Sequence, residues 1–97
     1  MSPVTGYMSN VPPITIIILN WNGLSNTLEC LESVLQNTYP NYSLVVIDNA
    51  SEKNELKEIQ HFLNANPSLP RHIFFIQNEK NMGFAEGNNV GIRRAIQ

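Results

Sequence analysis

Ile14-Thr15-Ile16-Ile17-Ile18-Leu19-Asn20-Trp21-Asn22-Gly23 is the stretch that decides the fold. From Ile14 to Leu19 every residue but Thr15 is apolar, and five of the six are β-branched. A short unbroken run of this kind reads as a strand covered on both faces, the signature of a parallel sheet. Asn20-Trp21-Asn22-Gly23 then breaks the run with polar and turn-forming residues.

The same switch occurs twice more. Leu24, Leu28, Leu31 and Leu35 recur at helical spacing after Gly23, with Ser25 or Asn26 as candidate N-caps, and Tyr39-Pro40-Asn41 closes that segment. Leu44 to Ile47 forms a second apolar run ending in Asp48-Asn49-Ala50-Ser51, followed by an amphipathic helix on Leu56, Ile59 and Leu63 that stops near Pro67. Ile73 to Ile76 gives a third strand running into Gln77-Asn78. Beyond the loop from Glu79 to Gly83 comes a third helix, for which we expect Phe84, Ile92 and Ile96 to face inward.

The pattern β-α-β-α-β-α predicts an open three-layer α/β fold with parallel strands, expected in the order 3-2-1 and joined by right-handed crossovers. That order places the first strand at an edge. A long aliphatic edge is an aggregation hazard, so we expect another strand, a second copy or a further segment to cover it, with self-association through the first strand as one outcome. Residues 1–13, with Pro3, Gly6, Pro12 and Pro13, read as a flexible leader, and Met8 is a candidate natural start.

Composition narrows the function. The 97 residues carry 6 Lys+Arg against 8 Asp+Glu, for a net charge of −2. That balance leaves no basic footprint for nucleic acid. Charged residues make up only 14%, while a hydrophobic share of 42% supports a real core. Asp48 is the only Asp, so an Asp pair or Asp-x-Asp metal site cannot be completed from this chain. One cysteine, Cys30, excludes an internal disulfide and reads as a buried structural thiol. With no signal peptide and no membrane-length apolar run, a cytoplasmic location is expected.

All three strand ends are polar and, in a parallel sheet, fall on one rim, where ligands of such folds bind. A carboxylate at Asp48 suits a ribose hydroxyl or a base N–H. Trp21 offers a flat face for a base. Gly83 and Gly87 let backbone N–H groups approach a phosphate. Each residue also has a plain alternative: Asp48 bracing a turn with Ser51, Trp21 packing in a core or interface, Asn49 and Asn78 serving turns, the glycines serving turn geometry alone. The first strand is not followed by a full G-x-G-x-x-G, which weakens a dinucleotide reading. His61, on a polar helix face, and His72, in a loop, stand alone. Glu52, Glu55 and Glu58 with Lys53 and Lys57 read as a solvated helix face.

In order, four pieces of the chain resemble the start of family-2 glycosyltransferases of the GT-A fold, nearest to the rhamnosyltransferase-like branch. They are Ile16 to Gly23, Cys30-Leu31-Glu32-Ser33-Val34, Val45 to Ser51, and Asn81-Met82-Gly83-Phe84-Ala85-Glu86-Gly87-Asn88-Asn89-Val90-Gly91-Ile92. The resemblance implies that residues 14–97 are the nucleotide-sugar-binding N-terminal half of such a domain, stopping before the metal-binding strand. It implies that Trp21 packs on the base and Asp48 binds base or ribose. Asn81 and Gly83 would close over the nucleotide, with Asn88 and Asn89 lining the diphosphate side. Asn20 and Asn49, from the rim clusters, complete the candidate set. One departure is Lys53, where the family often has Asp.

The resemblance further implies a divalent cation, Mg²⁺ or Mn²⁺, held in the full-length enzyme by acids beyond this chain, with no metal ligand and no catalytic residue here. A diphosphate leaving group needs its charge neutralised, and an acceptor hydroxyl needs a carboxylate to take its proton. The expected partners are a nucleotide diphosphate sugar and an acceptor saccharide or lipid-linked glycan, as in polysaccharide biosynthesis. The full-length protein could lie peripherally at the inner face of the membrane. Rhamnose is the donor sugar the branch suggests, and the chain alone is expected to be inactive. Two rival readings are a non-catalytic nucleotide-binding or regulatory module and a degenerate fragment serving as an interaction surface.

Overall fold

A computed structural model describes residues 11–67 and 69–96. The elements are β1 (Ile14–Asn20), α1 (Leu24–Leu35), β2 (Tyr42–Asp48), α2 (Glu55–Asn64), β3 (His72–Gln77) and α3 (Gly83–Ala95). The strands form one parallel sheet with β2 between β1 and β3. The expected order is therefore the observed one. Most of the leader lies outside the described residues. Within it the Val11 carbonyl accepts from Asn41 Nδ2 at 2.8 Å and the Pro12 carbonyl from the Tyr39 hydroxyl.

Strand alternation sorts the sheet into two faces. Ile16 and Ile18 of β1, Leu44 and Val46 of β2 and, in register with them, Ile73 and Phe75 of β3 meet α1 and α2, whose Leu31, Leu35, Leu56, Ile59 and Leu63 complete the main core. Each of the fully buried aliphatics among them, Leu31, Leu44, Val46, Ile59 and Leu63, contributes about 1.5–3 kcal/mol of transfer free energy. The two crossover helices pack on each other across this face. The odd-numbered residues Ile17, Leu19 and Ile47 face α3 on the other side.

Several expectations are corrected. β2, not β1, is the strand covered on both faces: Leu44 to Ile47 are fully buried, whereas Ile16 to Leu19 are half-buried and Ile14 is exposed. A central strand has two neighbours and an edge strand one. Neither Ser25 nor Asn26 caps α1; Gly23 holds that position, with no side-chain cap bond, and both residues lie inside the first turn. Cys30 is exposed, on the outer face of α1. His72 is the first residue of β3, its ring stacked on Phe74 at 6.2 Å.

The largest correction concerns α3. Phe84 is 80% exposed, Ile96 78% and Ile92 46%, and the inward residues are Gly87 and Gly91. A Cβ on Gly91 would stand 2.6 Å from Ile47 Cδ1 and 2.7 Å from Ile17 Cγ2. The helix lies so close to β1 and β2 that only glycine fits at its line of contact. That approach fixes its rotation and turns the large apolar side chains outward. At its last turn the Arg94 guanidinium stacks over the Phe74 ring at 4.1 Å, a cation–π contact that ties α3 to β3.

Candidate functional site

The register of the sheet ends on three polar residues side by side: Asn20 pairs with Asp48, and Asp48 with Gln77. All three are even-register positions and project to the α1/α2 side of the rim. Asp48 is the hub. Its Oδ1 accepts from Asn20 Nδ2 at 2.8 Å and from the Ser51 hydroxyl at 2.6 Å. Its Oδ2 accepts from the Ser51 N–H at 2.9 Å and from Gln77 Nε2 at 2.9 Å. Four donors fill the four lone-pair sites of a carboxylate.

Burial alone would push the Asp48 carboxyl up; the hydrogen bonds from Ser51, Gln77 and Asn20 outweigh it and hold the group below its ordinary value. Asp48 is ionised at neutral pH and is 1% exposed. The turn that makes this possible is Ala50, at φ +66, which folds Ser51 back onto the carboxylate. A left-handed alanine costs about 1–2 kcal/mol, which the two Ser51 bonds to a charged acceptor offset.

Asn20 is equally enclosed, 1% exposed. Its Oδ1 accepts from the Thr27 hydroxyl at 2.5 Å, and its Nδ2 also reaches Glu55 Oε1 at 3.0 Å and Ser51 Oγ at 3.3 Å. Glu55 thus leaves the solvated face expected for it and joins the rim. Asn22, at φ +48, donates its N–H to Ser51 Oγ at 2.9 Å and accepts the Glu52 N–H at 2.8 Å. These bonds fasten the loop after β1 to the loop after β2. Trp21, in the first of these loops, has 54% of its surface exposed.

The odd-register residues build a second network on the α3 side. Asn49 Oδ1 accepts from Asn78 Nδ2 at 3.1 Å and from the Met82 N–H at 3.0 Å. Its Nδ2 donates to Asn81 Oδ1 at 3.1 Å and to the Gly83 carbonyl at 3.2 Å. Asn81 Oδ1 also accepts the Gly83 N–H at 2.7 Å, and Gly83 takes φ +80, open to glycine. Asn49 therefore pins the start of α3 to the tip of β2. Asn88 and Asn89 turn to their own helix, donating to the Phe84 carbonyl and to Glu86 Oε1.

Beside both networks lies an open depression of about 730 Å³ lined by Gln77, Asn78, Glu79, Lys80 and Met82. The structure therefore gathers Asn20, Asp48, Asn49, Asn81 and Gly83 at the rim, leaves Trp21 facing solvent, and sets Asn88 and Asn89 further along α3. Thr27, Ser51, Glu55 and Gln77 complete the site. Only the alternation of β3 hinted at Gln77, since seeing it requires the register.

The donor set at Asp48 does not suit a divalent cation. Its oxygens are filled by N–H and O–H donors, and among the described residues no three His, Cys, Asp or Glu side chains gather. Among the same residues no helix is long and apolar enough to cross a membrane.

A three-stranded parallel α/β sheet with its polar side chains collected at the carboxyl rim is the frame of a nucleotide-binding-like fold. Residues 15–96 match the model of glycosyl transferase family 2, and the chain belongs to that family. It is 27% identical over 85 residues to an uncharacterized glycosyltransferase of Haemophilus influenzae, covering 88% of this chain and 25% of that one. A second uncharacterized glycosyltransferase of the same organism is 31% identical over 80 residues, 82% of this chain and 24% of its own. WcaA of Escherichia coli, a glycosyl transferase named for colanic acid biosynthesis, is 31% identical over 88 residues, 91% of this chain and 30% of its own. The chain thus spans about a quarter of the length of these curated relatives.

Proposed function

We propose that this chain is the nucleotide-sugar-binding part of a glycosyltransferase that moves a sugar from a nucleoside diphosphate to a saccharide or lipid-linked acceptor. The observation that carries this reading is the rim itself. Three in-register strand ends converge on one ionised carboxylate, with an exposed tryptophan at one end and an open depression at the other. Trp21 is the stacking face for the base. The Asp48 network holds the loops after β1 and β2 in one shape, so the site is formed before ligand arrives. The Asn81–Gly83 turn, fixed by Asn49, borders the diphosphate side, with Asn88 and Asn89 behind it.

A divalent cation, Mg²⁺ or Mn²⁺, and the base that takes the acceptor's proton belong to residues outside this chain, which by itself is inactive in transfer. A place in polysaccharide biosynthesis is supported by the naming of WcaA for colanic acid biosynthesis, and rhamnose is the donor sugar that the resemblance favours.

Titration with uridine, thymidine and guanosine diphosphates, read by calorimetry and by Trp21 fluorescence, tests the reading. One of the three should saturate the site and quench the fluorescence. Trp21→Ala should weaken that binding by about tenfold or more, since stacking on an aromatic ring contributes roughly 1–3 kcal/mol. No saturable binding to any of them, or full affinity in Trp21→Ala, would rule the site out.

A further inference from the structure

Of the four donors on Asp48, three are built into the fold. Asn20 is buried, and the Ser51 N–H and hydroxyl belong to the loop locked by Ala50 and Asn22. The fourth, Gln77, differs in kind. Its residue is exposed, it ends an edge strand, and it lines the open depression. Its amide nitrogen donates at once to Asp48 Oδ2 at 2.9 Å, to the Asn78 carbonyl at 3.1 Å and to the Asp48 carbonyl at 3.4 Å. An amide nitrogen has two hydrogens, so these three contacts share them and none of the weaker two fixes the side chain firmly.

The geometry points to Gln77 as a placeholder: its amide N–H occupies Asp48 Oδ2 and swings out when a uracil or thymine base delivers its imide N–H to the same oxygen. The inference rests on the nucleotide-binding reading above and adds to it a specificity-determining residue and a class of base. The class follows from the oxygens. Oδ1 is committed to Asn20 and Ser51, so displacing Gln77 frees one acceptor position only. A pyrimidine imide brings a single N–H flanked by two carbonyls and fits one acceptor. Guanine brings paired N–H donors on adjacent atoms and needs both oxygens of a carboxylate. The departing Gln77 amide gives up its hydrogen bond to the charged Asp48 Oδ2, a cost that its return to water offsets only in part.

The experiment compares this chain with its Gln77→Ala variant in binding uridine diphosphate and N3-methyluridine diphosphate. Removing the placeholder spares the ligand the work of displacing a hydrogen bond to a charged group. Gln77→Ala should therefore bind uridine diphosphate about tenfold more tightly than the parent. The gain should vanish with the N3-methyl analogue, which lacks the N–H. In the parent chain, the Gln77 side-chain amide resonances should move toward solvent-like positions on saturation with uridine diphosphate. Equal or weaker binding by Gln77→Ala, or amide resonances that stay put, overturns the placeholder while leaving the nucleotide site standing. Failure of both chains to bind any nucleoside diphosphate overturns the site and the placeholder together.

Discussion

Asp48→Ala should destabilise the chain by about 3–5 kcal/mol, a large part of the stability a domain this size has. The substitution deletes an acceptor that takes four hydrogen bonds; it strands the Ser51 N–H and leaves Asn20 Nδ2 with only Glu55 Oε1 and Ser51 Oγ. Each buried donor left without a partner costs about 1–3 kcal/mol. Asp48→Asn keeps the shape but turns one acceptor into a donor facing donors, and should fall between. Urea unfolding measured at pH 7 reads both values; a loss under about 1 kcal/mol in Asp48→Ala would show that the network contributes nothing to folding.

The same residue sets an acid limb. Its carboxyl is held below the ordinary value, so the stabilisation is fully present above about pH 4, the unfolded-state value. It fades as pH falls further, through the lower folded-state value. Asp48→Asn should lack this component, and its stability between about pH 4 and pH 2 should fall less steeply than the parent's.

The second large effect lies on the other face of the sheet. Gly91→Ala gains about 0.5–1 kcal/mol of helix propensity, yet its new methyl lands 2.6 Å from Ile47 Cδ1 and 2.7 Å from Ile17 Cγ2. Ile17 Cγ2 sits directly on a β-branched carbon and cannot swing aside without changing χ1. Overpacking of this kind costs about 1–3 kcal/mol, so the net loss should be about 1–2 kcal/mol. Gly87→Ala should cost less. Its contacts are at 3.0 and 3.1 Å to the two ends of the Leu19 side chain, which can turn, and at 3.2 Å to Asn49 Nδ2. Thermal unfolding of the two variants checks the ordering; a Gly91→Ala protein more stable than the parent would mean that α3 does not lie this close.

The contrast between α3 and the other helices shows where sequence reasoning stops. Leu31, Leu35, Leu56, Ile59 and Leu63 face inward as their spacing says, because α1 and α2 stand at ordinary distance from the sheet and are rotated by their hydrophobic stripe. In α3 the stripe of Phe84, Ile92 and Ile96 competes with a glycine pair four residues apart, and close approach won. Hydrophobic periodicity carries no information about distance.

The strand order was legible for another reason: strands consecutive in sequence usually neighbour one another in the sheet, and chirality then sets which face the crossover helices take. The rim was legible as a place and not as a circuit. That Asp48 ends a strand can be read from Val45-Val46-Ile47-Asp48. That Asn20, Asp48 and Gln77 stand abreast depends on register, which three similar apolar runs leave open. The bracing of Asp48 by Ser51, the plain alternative read from the sequence, is what the structure holds, while the left-handed turn at Ala50 that brings it about is a conformation alanine rarely announces.

The seating of α3 against β1 also bears on how the chain assembles. Each strand pairs with the next one along, after a single intervening helix, so the main core can form from contacts of modest sequence separation. Gly91 meets Ile17 from the opposite end of the chain, and that contact pays its loop-closure entropy last. The two halves of the rim would then mature at different times, with Asn20, Asp48 and Ser51 in place before Asn49 captures the Asn81–Gly83 turn. Crowding at Gly91 would be felt after the rate-limiting step, hastening unfolding far more than it slows folding.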